Sequence, residues 1–264
     1  MRRRSLISAA IVLLTLAGPA SACGPEALGT RRVLTVETAG GVRVGTKSYP
    51  ATLPLADKEV VLTFDDGPWP GTTPAVLDAL AHECVKATFF VIGQNAEARP
   101  TLVRRMIADG HTVGHHTWSH PILSKLSTAD ALAEIERGMA ADDHAAYGSS
   151  TAVPRVAFFR FPGFADTPAL LDQLAARKIA VFGADLWASD WNLMTPQAQL
   201  DLVMKRLNEA RRGIVLFHDT KRQTADMLPA FLRALKDGGY DIVHIMPAPP
   251  KAGRSLYRSL PVGG

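Results

Sequence analysis

Short apolar runs alternate with amphipathic stretches from residue 60 to residue 244. The strand-like runs fall at 60–64, 87–92, 111–114, 156–161, 179–183, 214–217 and 240–244. Helical patterns fill the gaps, and three open with a threonine–proline pair: Thr73-Pro74, Thr167-Pro168 and Thr195-Pro196. Threonine can cap exposed backbone N–H groups, and proline is tolerated at the first helical position. Leu200, Val203 and Leu207 share one face after Pro196, as do Leu132, Ile135 and Met139 after Ser127. Gly213 and Gly238-Gly239 follow helix ends, where a left-handed residue is wanted. Seven β–α alternations predict an α/β chain with a parallel sheet under helices. The periodicity leaves both an open doubly wound sheet and a closed barrel in play. In either, function gathers at the C-terminal ends of the strands.

The two ends read differently. Arg2, Arg3 and Arg4 precede an apolar run over residues 6–16, and Ala20-Ser21-Ala22 follows. A basic start, a short apolar stretch and an Ala-x-Ala end predict a signal peptide over residues 1–22 and export to the periplasm or outside the cell. The apolar run is too short for a comfortable membrane span, so the mature chain carries no transmembrane helix. Cys23 directly after the cleavage site is a lipidation candidate, disfavoured by Ala20, and Arg3-Arg4 faintly resembles a twin-arginine signal. Residues 23–57 contain Gly40-Gly41 and read as an extended leader with one hairpin; residues 247–264 read as a loosely attached tail.

Composition narrows the classes. With 20% charged and 47% hydrophobic residues and two cysteines in 264, the chain is neither disordered nor a disulfide miniprotein. Without the three leading arginines its 29 basic residues become 26 against 25 acidic, a net of +1, and no nucleic-acid footprint remains. Cys23 and Cys84 could pair in an oxidising compartment, but the favoured expectation for Cys84 is a small buried hydrophobe with a free thiol.

The polar residues that interrupt the strand pattern collect at strand ends. Residues 60–64 run into Asp65-Asp66-Gly67, adjacent carboxylates that are costly to bury unless paired or metal-bound. Residues 111–114 run into His115-His116-Thr117-Trp118-Ser119-His120. One helical turn there would point His116 and His120 the same way, and two histidines with a carboxylate are a recurring ligand set for a catalytic zinc. Later strands deliver Arg160-Phe161-Pro162-Gly163, Asp190-Trp191 and Leu216-Phe217-His218-Asp219.

Together these residues resemble the polysaccharide deacetylase family, the NodB-homology domain or carbohydrate esterase family 4. Residues 63–67 match its first motif, residues 116–120 its His-Ser/Thr-x-x-His second, and Arg160 to Gly163 its Arg-x-Pro third. Asp190-Trp191 matches the end of the fourth and Leu216 to His218 the Leu-x-His fifth, all within a domain spanning residues 58–246. The resemblance implies a distorted (β/α) barrel of about seven parallel strands. His115 replaces the family's usual Asn, Gly163 an aromatic, and Trp187 a residue that is often acidic; all three bear on the shape of the sugar groove.

The resemblance also implies a secreted, metal-dependent N-deacetylase of an acetylated glycan: peptidoglycan, chitin-like oligomer or exopolysaccharide. Asp66, His116 and His120 would hold a divalent ion, zinc first and cobalt, manganese or nickel as alternatives. Such an ion lowers the pKa of its water and polarises the amide carbonyl. Asp65 would act as general base and His218 as general acid, oriented by Arg160 and Asp190 respectively. The backbone N–H of Gly163 would help hold the oxyanion, and Trp191 and Leu216 would wall a slot for the acetyl methyl. Hydrolysis of a small non-sugar amide and a non-catalytic carbohydrate-binding relic are the alternatives; intact Asp65 and His218 argue against the relic.

Overall fold

The computed structural model describes Gly24 and residues 26–249; the predicted signal peptide, Cys23 and most of the tail lie outside the described residues. The strands are β1 (Arg32–Val36), β2 (Arg43–Val44), β3 (Glu59–Asp65), β4 (Thr88–Val91), β5 (Thr112–His115), β6 (Phe158–Phe159), β7 (Ala180–Phe182), β8 (Leu186–Trp187), β9 (Gly213–His218) and β10 (Asp241–Pro247). The α-helices are α1 (Thr73–His82), α2 (Gly93–Ala98), α3 (Pro100–Ala108), α4 (Thr128–Tyr147), α5 (Pro168–Ala176), α6 (Pro196–Ala210) and α7 (Arg222–Asp237).

All the strand pairings are parallel. From β3 the ladder runs through β4, β5 and β6 to β7 on one side, and through β9 to β8 on the other. The chain passes from β7 to β8 with no helix between them, so the result is a distorted (β/α) barrel. β10 pairs with only the first two residues of β3. It then meets the start of β5, where the Thr112 hydroxyl donates to the carbonyl of Ile245 at 2.7 Å.

Period-two alternation sorts the core into layers. In β3, Val60, Leu62 and Phe64 face outward, packed with Leu77 and Leu80 of α1 and Phe231 of α7. Val61 faces inward with Phe90, Phe158, Phe182, Ile214 and Val243 to fill the barrel. A third cluster joins Phe159 and Val181 to Ile135 of α4 and Leu174 of α5.

Several expectations change. The leader forms no hairpin: β1 pairs with β10 and β2 with β7, so the segments around Gly40-Gly41 diverge to separate strands. The start of the tail is tied down, because Ala248 donates its N–H to Val36. Ser127, Thr167 and Thr195 cap their helices through Asp130, Leu170 and Ala198, but Thr73 lies inside α1 and caps nothing. Arg211, not Gly213, takes the left-handed position ending α6, with φ 65°, whereas Gly239 does so after α7. Cys84 is disulfide-bonded, not a buried free thiol; it sits half-buried on a left-handed turn after α1, outside the core. No helix among the described residues is long and apolar enough to cross a membrane.

Phe182 is fully buried against Phe90 and Phe158. Phe182→Ala should therefore cost about 3–5 kcal/mol of stability, read as a lower urea midpoint. Val153→Ala, at a position 60% exposed, should leave the midpoint within error.

Candidate metal centre and active site

The deepest element of the site is Arg160, fully buried at the mouth of the barrel. Its guanidinium donates to Asp65 Oδ1 at 2.7 Å, to the Thr63 hydroxyl at 2.8 Å, and to the carbonyls of Phe182 and Gly183. It also lies 4.3 Å above the Phe90 ring. Thr63 and Asp65 alternate inward from β3, so the strand period itself delivers both partners. Burial pushes the Asp65 carboxyl up, and the charge and hydrogen bond of Arg160 oppose that shift.

Asp66 follows in a left-handed conformation, φ 75°, which turns its side chain away from the strand direction. Asp66, His116 and His120 offer ligand atoms lying within 4.8 Å of one another. Asp66 Oδ1 is 3.3 Å from His120 Nε2 and 3.6 Å from His116 Nε2. His116 Nδ1 lies 2.7 Å from the Arg160 carbonyl. A carbonyl only accepts, so Nδ1 carries the proton and Nε2 faces Asp66 with its lone pair. Burial holds His116 neutral, its pKa down to about 3. Asp66 Oδ1 is buried without a hydrogen-bond partner. An unclaimed carboxylate oxygen facing imidazole nitrogens suits a divalent cation.

The expected helical turn between His116 and His120 is absent. Thr117 and His120 adopt positive φ, 68° and 62°, and the loop is clamped from both sides. The N-terminus of α2 donates from Gly93 and Gln94 to the carbonyls of Thr117 and Trp118. From α4, Glu134 accepts from Trp118 and Ser119, and Arg137 stacks 3.7 Å over Trp118. Gly138 lets α4 approach: a Cβ there would fall 2.4 Å from the Thr117 carbonyl carbon.

His218 ends β9. Its Nδ1 is 2.7 Å from Asp190 Oδ1, and its N–H donates to Asp190 Oδ2. Burial lowers the His218 pKa, but the Asp190 hydrogen bond and the charges of Asp190, Asp66 and Asp65 outweigh it, raising it to about 9. Its Nε2 lies 3.9 Å from Asp66 Oδ2. A pocket of about 350 Å³ opens between these groups, walled by Phe161, Gly163, Phe164, Trp187, Trp191 and Leu216.

The structure thus brings Asp65, Asp66, His116, His120, Gly163, Trp191, Leu216 and His218 to one pocket, with Arg160 and Asp190 directly behind. Of the three departures from the family pattern, Gly163 and Trp187 line the pocket. His115 does not: it faces α4, its Nδ1 2.8 Å from Asp142 Oδ2. The sequence reading assigned no role to Asp219. This fully buried carboxyl accepts from the Thr73 hydroxyl at 2.5 Å, and burial together with the Asp66 charge raises its pKa to about 7. A Cβ on Gly67 would land 2.2 Å from it, so glycine is required after Asp66. The signal was present in His218-Asp219, a second carboxylate at a strand end.

The family model described as polysaccharide deacetylase matches residues 53–180. The chain is 34% identical over 190 residues to the peptidoglycan-N-acetylglucosamine deacetylase PgdA of Listeria monocytogenes, across 72% of this chain but 38% of that protein. It is 35% identical over 196 residues to a chitooligosaccharide deacetylase of Sinorhizobium fredii, across 69% of this chain and 88% of that protein. The solved peptidoglycan deacetylase Bd3279 of Bdellovibrio bacteriovorus superposes with a TM-score of 0.73 at 32% identity, covering 83% of this chain and 59% of that one.

Gly138→Ala should weaken affinity for an added divalent cation about ten-fold or more, by pushing the loop that carries His120. In a helix interior this change alone would add about 0.5–1 kcal/mol, so helix propensity cannot explain a loss. Chelator competition on the folded variant checks it; unchanged affinity would show that α4 does not position the loop.

Proposed function

Because the chain belongs to the polysaccharide deacetylase family, we propose that it is an exported N-deacetylase, removing acetyl groups from N-acetylglucosamine-type sugars of peptidoglycan or chitin-like oligomers. Zinc is the proposed metal, held by Asp66, His116 and His120. When bound, the ion would polarise the amide carbonyl and acidify a water.

The observation that carries this reading is a pair of opposed, separately oriented groups across one pocket. Arg160 holds Asp65 Oδ1, while Asp65 Oδ2 lies 3.8 Å from His116 Nε2 on the pocket side. That oxygen is placed to take a proton from an attacking water. Opposite, His218 Nδ1 donates to Asp190, and the carboxylates around the ring keep it cationic to about pH 9, so Nε2 also carries a proton, the one that the departing amine needs. The Gly163 N–H would steady the developing oxyanion, and Trp191 and Leu216 would enclose the acetyl methyl while excluding water. Binding a glycan requires neither an oriented base nor an oriented acid, which disfavours the relic. Acetate release from a panel of glycans and small amides separates the sugar reading from the non-sugar one. Acetylated small amides alone being cleaved would reject the glycan substrate.

The adjacent carboxylates should fail differently. Asp65→Asn keeps the shape and should bind zinc while losing on the order of 10² to 10⁴ in kcat. Asp66→Ala removes a ligand and should lose zinc together with activity. Metal stoichiometry and kcat on the two variants decide it.

The pH–rate profile should be bell-shaped. Activity needs Asp65 ionised, so it falls as pH drops through a pKa above the ordinary carboxylate value. It needs His218 protonated, so it also falls as pH rises through about 9. Asp190→Asn removes a negative charge and should move the alkaline limb to lower pH; an unmoved limb would take Asp190 out of the acid's control.

A further inference from the structure

The groove does not end at the acetyl pocket. It continues past Asp66 and His120 into a second hollow of about 470 Å³, bounded by Trp69, Asn95, Thr220 and Lys221. Trp69 is 44% exposed and lines this hollow. Arg99 stacks on that ring at 4.6 Å, and its Nη1 reaches Asn95 Oδ1 at 3.4 Å. Lys221 is half-buried and borders both hollows.

These two cations are uncompensated. Arg222, next in the chain, pairs with Asp226, and Arg105 of α3 pairs with Asp78 and Asp109. Among the described residues neither Lys221 nor Arg99 has a carboxylate partner within 4 Å, and the only carboxylate bordering the second hollow is Asp66 of the candidate metal centre. A neutral sugar laid there would strip water from Lys221 and return no charge. A carboxylate would return a charge-assisted hydrogen bond, while the Trp69 face accepts the ring beside it.

We propose that this hollow is a subsite for an acidic sugar unit. Lys221 is the specificity-determining residue, and Arg99 adds positive potential and holds Trp69 in place. The substrate class is then a glycan in which the unit beside the acetamide-bearing sugar carries a carboxylate, preferred over a neutral oligomer. The inference rests on the deacetylase reading above and narrows it. The carboxylate can belong to a lactyl ether on the sugar or to a peptide attached through it; the chemistry read by Lys221 is the same.

The test compares kcat/KM for acetate release from three substrates. They are a neutral N-acetylglucosamine tetramer, lactyl-bearing glycan strands stripped of peptide, and the same strands with peptides intact. The zinc-loaded wild type should prefer an acidic strand to the tetramer. Lys221→Met keeps the aliphatic stem and should lower the acidic-to-neutral ratio about ten-fold, mainly through KM, while Lys221→Arg should retain most of it. Arg99→Met should lower the ratio in the same direction by a smaller factor. Preference for peptide-free strands assigns the contact to the lactyl group; preference appearing only with peptides assigns it to the peptide. A wild-type ratio of one or less, or a ratio unmoved by Lys221→Met, overturns the subsite while leaving the deacetylase reading intact. No acetate from any of the three would remove that reading and the subsite with it.

Discussion

The Arg160–Asp65 pair is the interaction on which the rest of the site depends. A buried ion pair is a weak source of net stability, because desolvating both ions offsets their attraction. Its value here is geometric. Arg160 ties β3 to the backbone at Phe182 and Gly183 through one planar group. The same residue's carbonyl fixes the tautomer of His116. One residue thus orients the candidate base with its side chain and a candidate ligand with its main chain. Removing either ion of such a pair typically costs about 3–5 kcal/mol, because the other is left buried alone.

Around that centre, precision comes from backbone as much as from side chains. Asp66 and His120 are both left-handed, the Asp66 carbonyl accepting from the Asn95 amide and the His120 N–H donating to the Thr117 hydroxyl. Gly67 lies against Asp219 below, and Gly138 lies against the 117–118 peptide from outside. The pocket walls differ: Phe164, Trp187 and Trp191 come from short segments around β8 and the turn after β6, joined by ring contacts. Asp65 and His218 sit within strand ends, whereas Asp66, His120 and Asp190 sit on the turns that follow strands.

What could be read from the chain follows from this division. The barrel strands declare themselves because each must satisfy a sheet and a core at once, as β3 does with Val60, Leu62 and Phe64 against Val61, Thr63 and Asp65. The site groups were legible because a carboxylate or histidine at the end of an apolar run has few ordinary reasons to be there. Long-range choices were not legible. Nothing local says that β1 should seek β10 or β2 seek β7. The 116–120 loop looked helical by spacing, yet its conformation is set by α2 and α4. Thr73 carries a capping signature, but Asp219, distant in sequence, claims its hydroxyl.

Burial of Arg160 has one more consequence, which concerns ionic strength. Mobile ions screen exposed charges over a Debye length of about 8 Å at physiological salt, and they reach buried pairs much less. Asp65 and Arg160 meet beneath the pocket floor with almost no contact with solvent, so the field that sets the candidate base is shielded from counter-ions. Lys221, half-buried, and Trp191, 46% exposed at the rim, stand where those ions circulate. The molecule separates a salt-insensitive layer that prepares the proton transfer from a salt-sensitive layer that meets the polymer. A change in ionic strength would alter how often a charged ligand is held at the rim, and leave nearly constant the field that acts on it once it is.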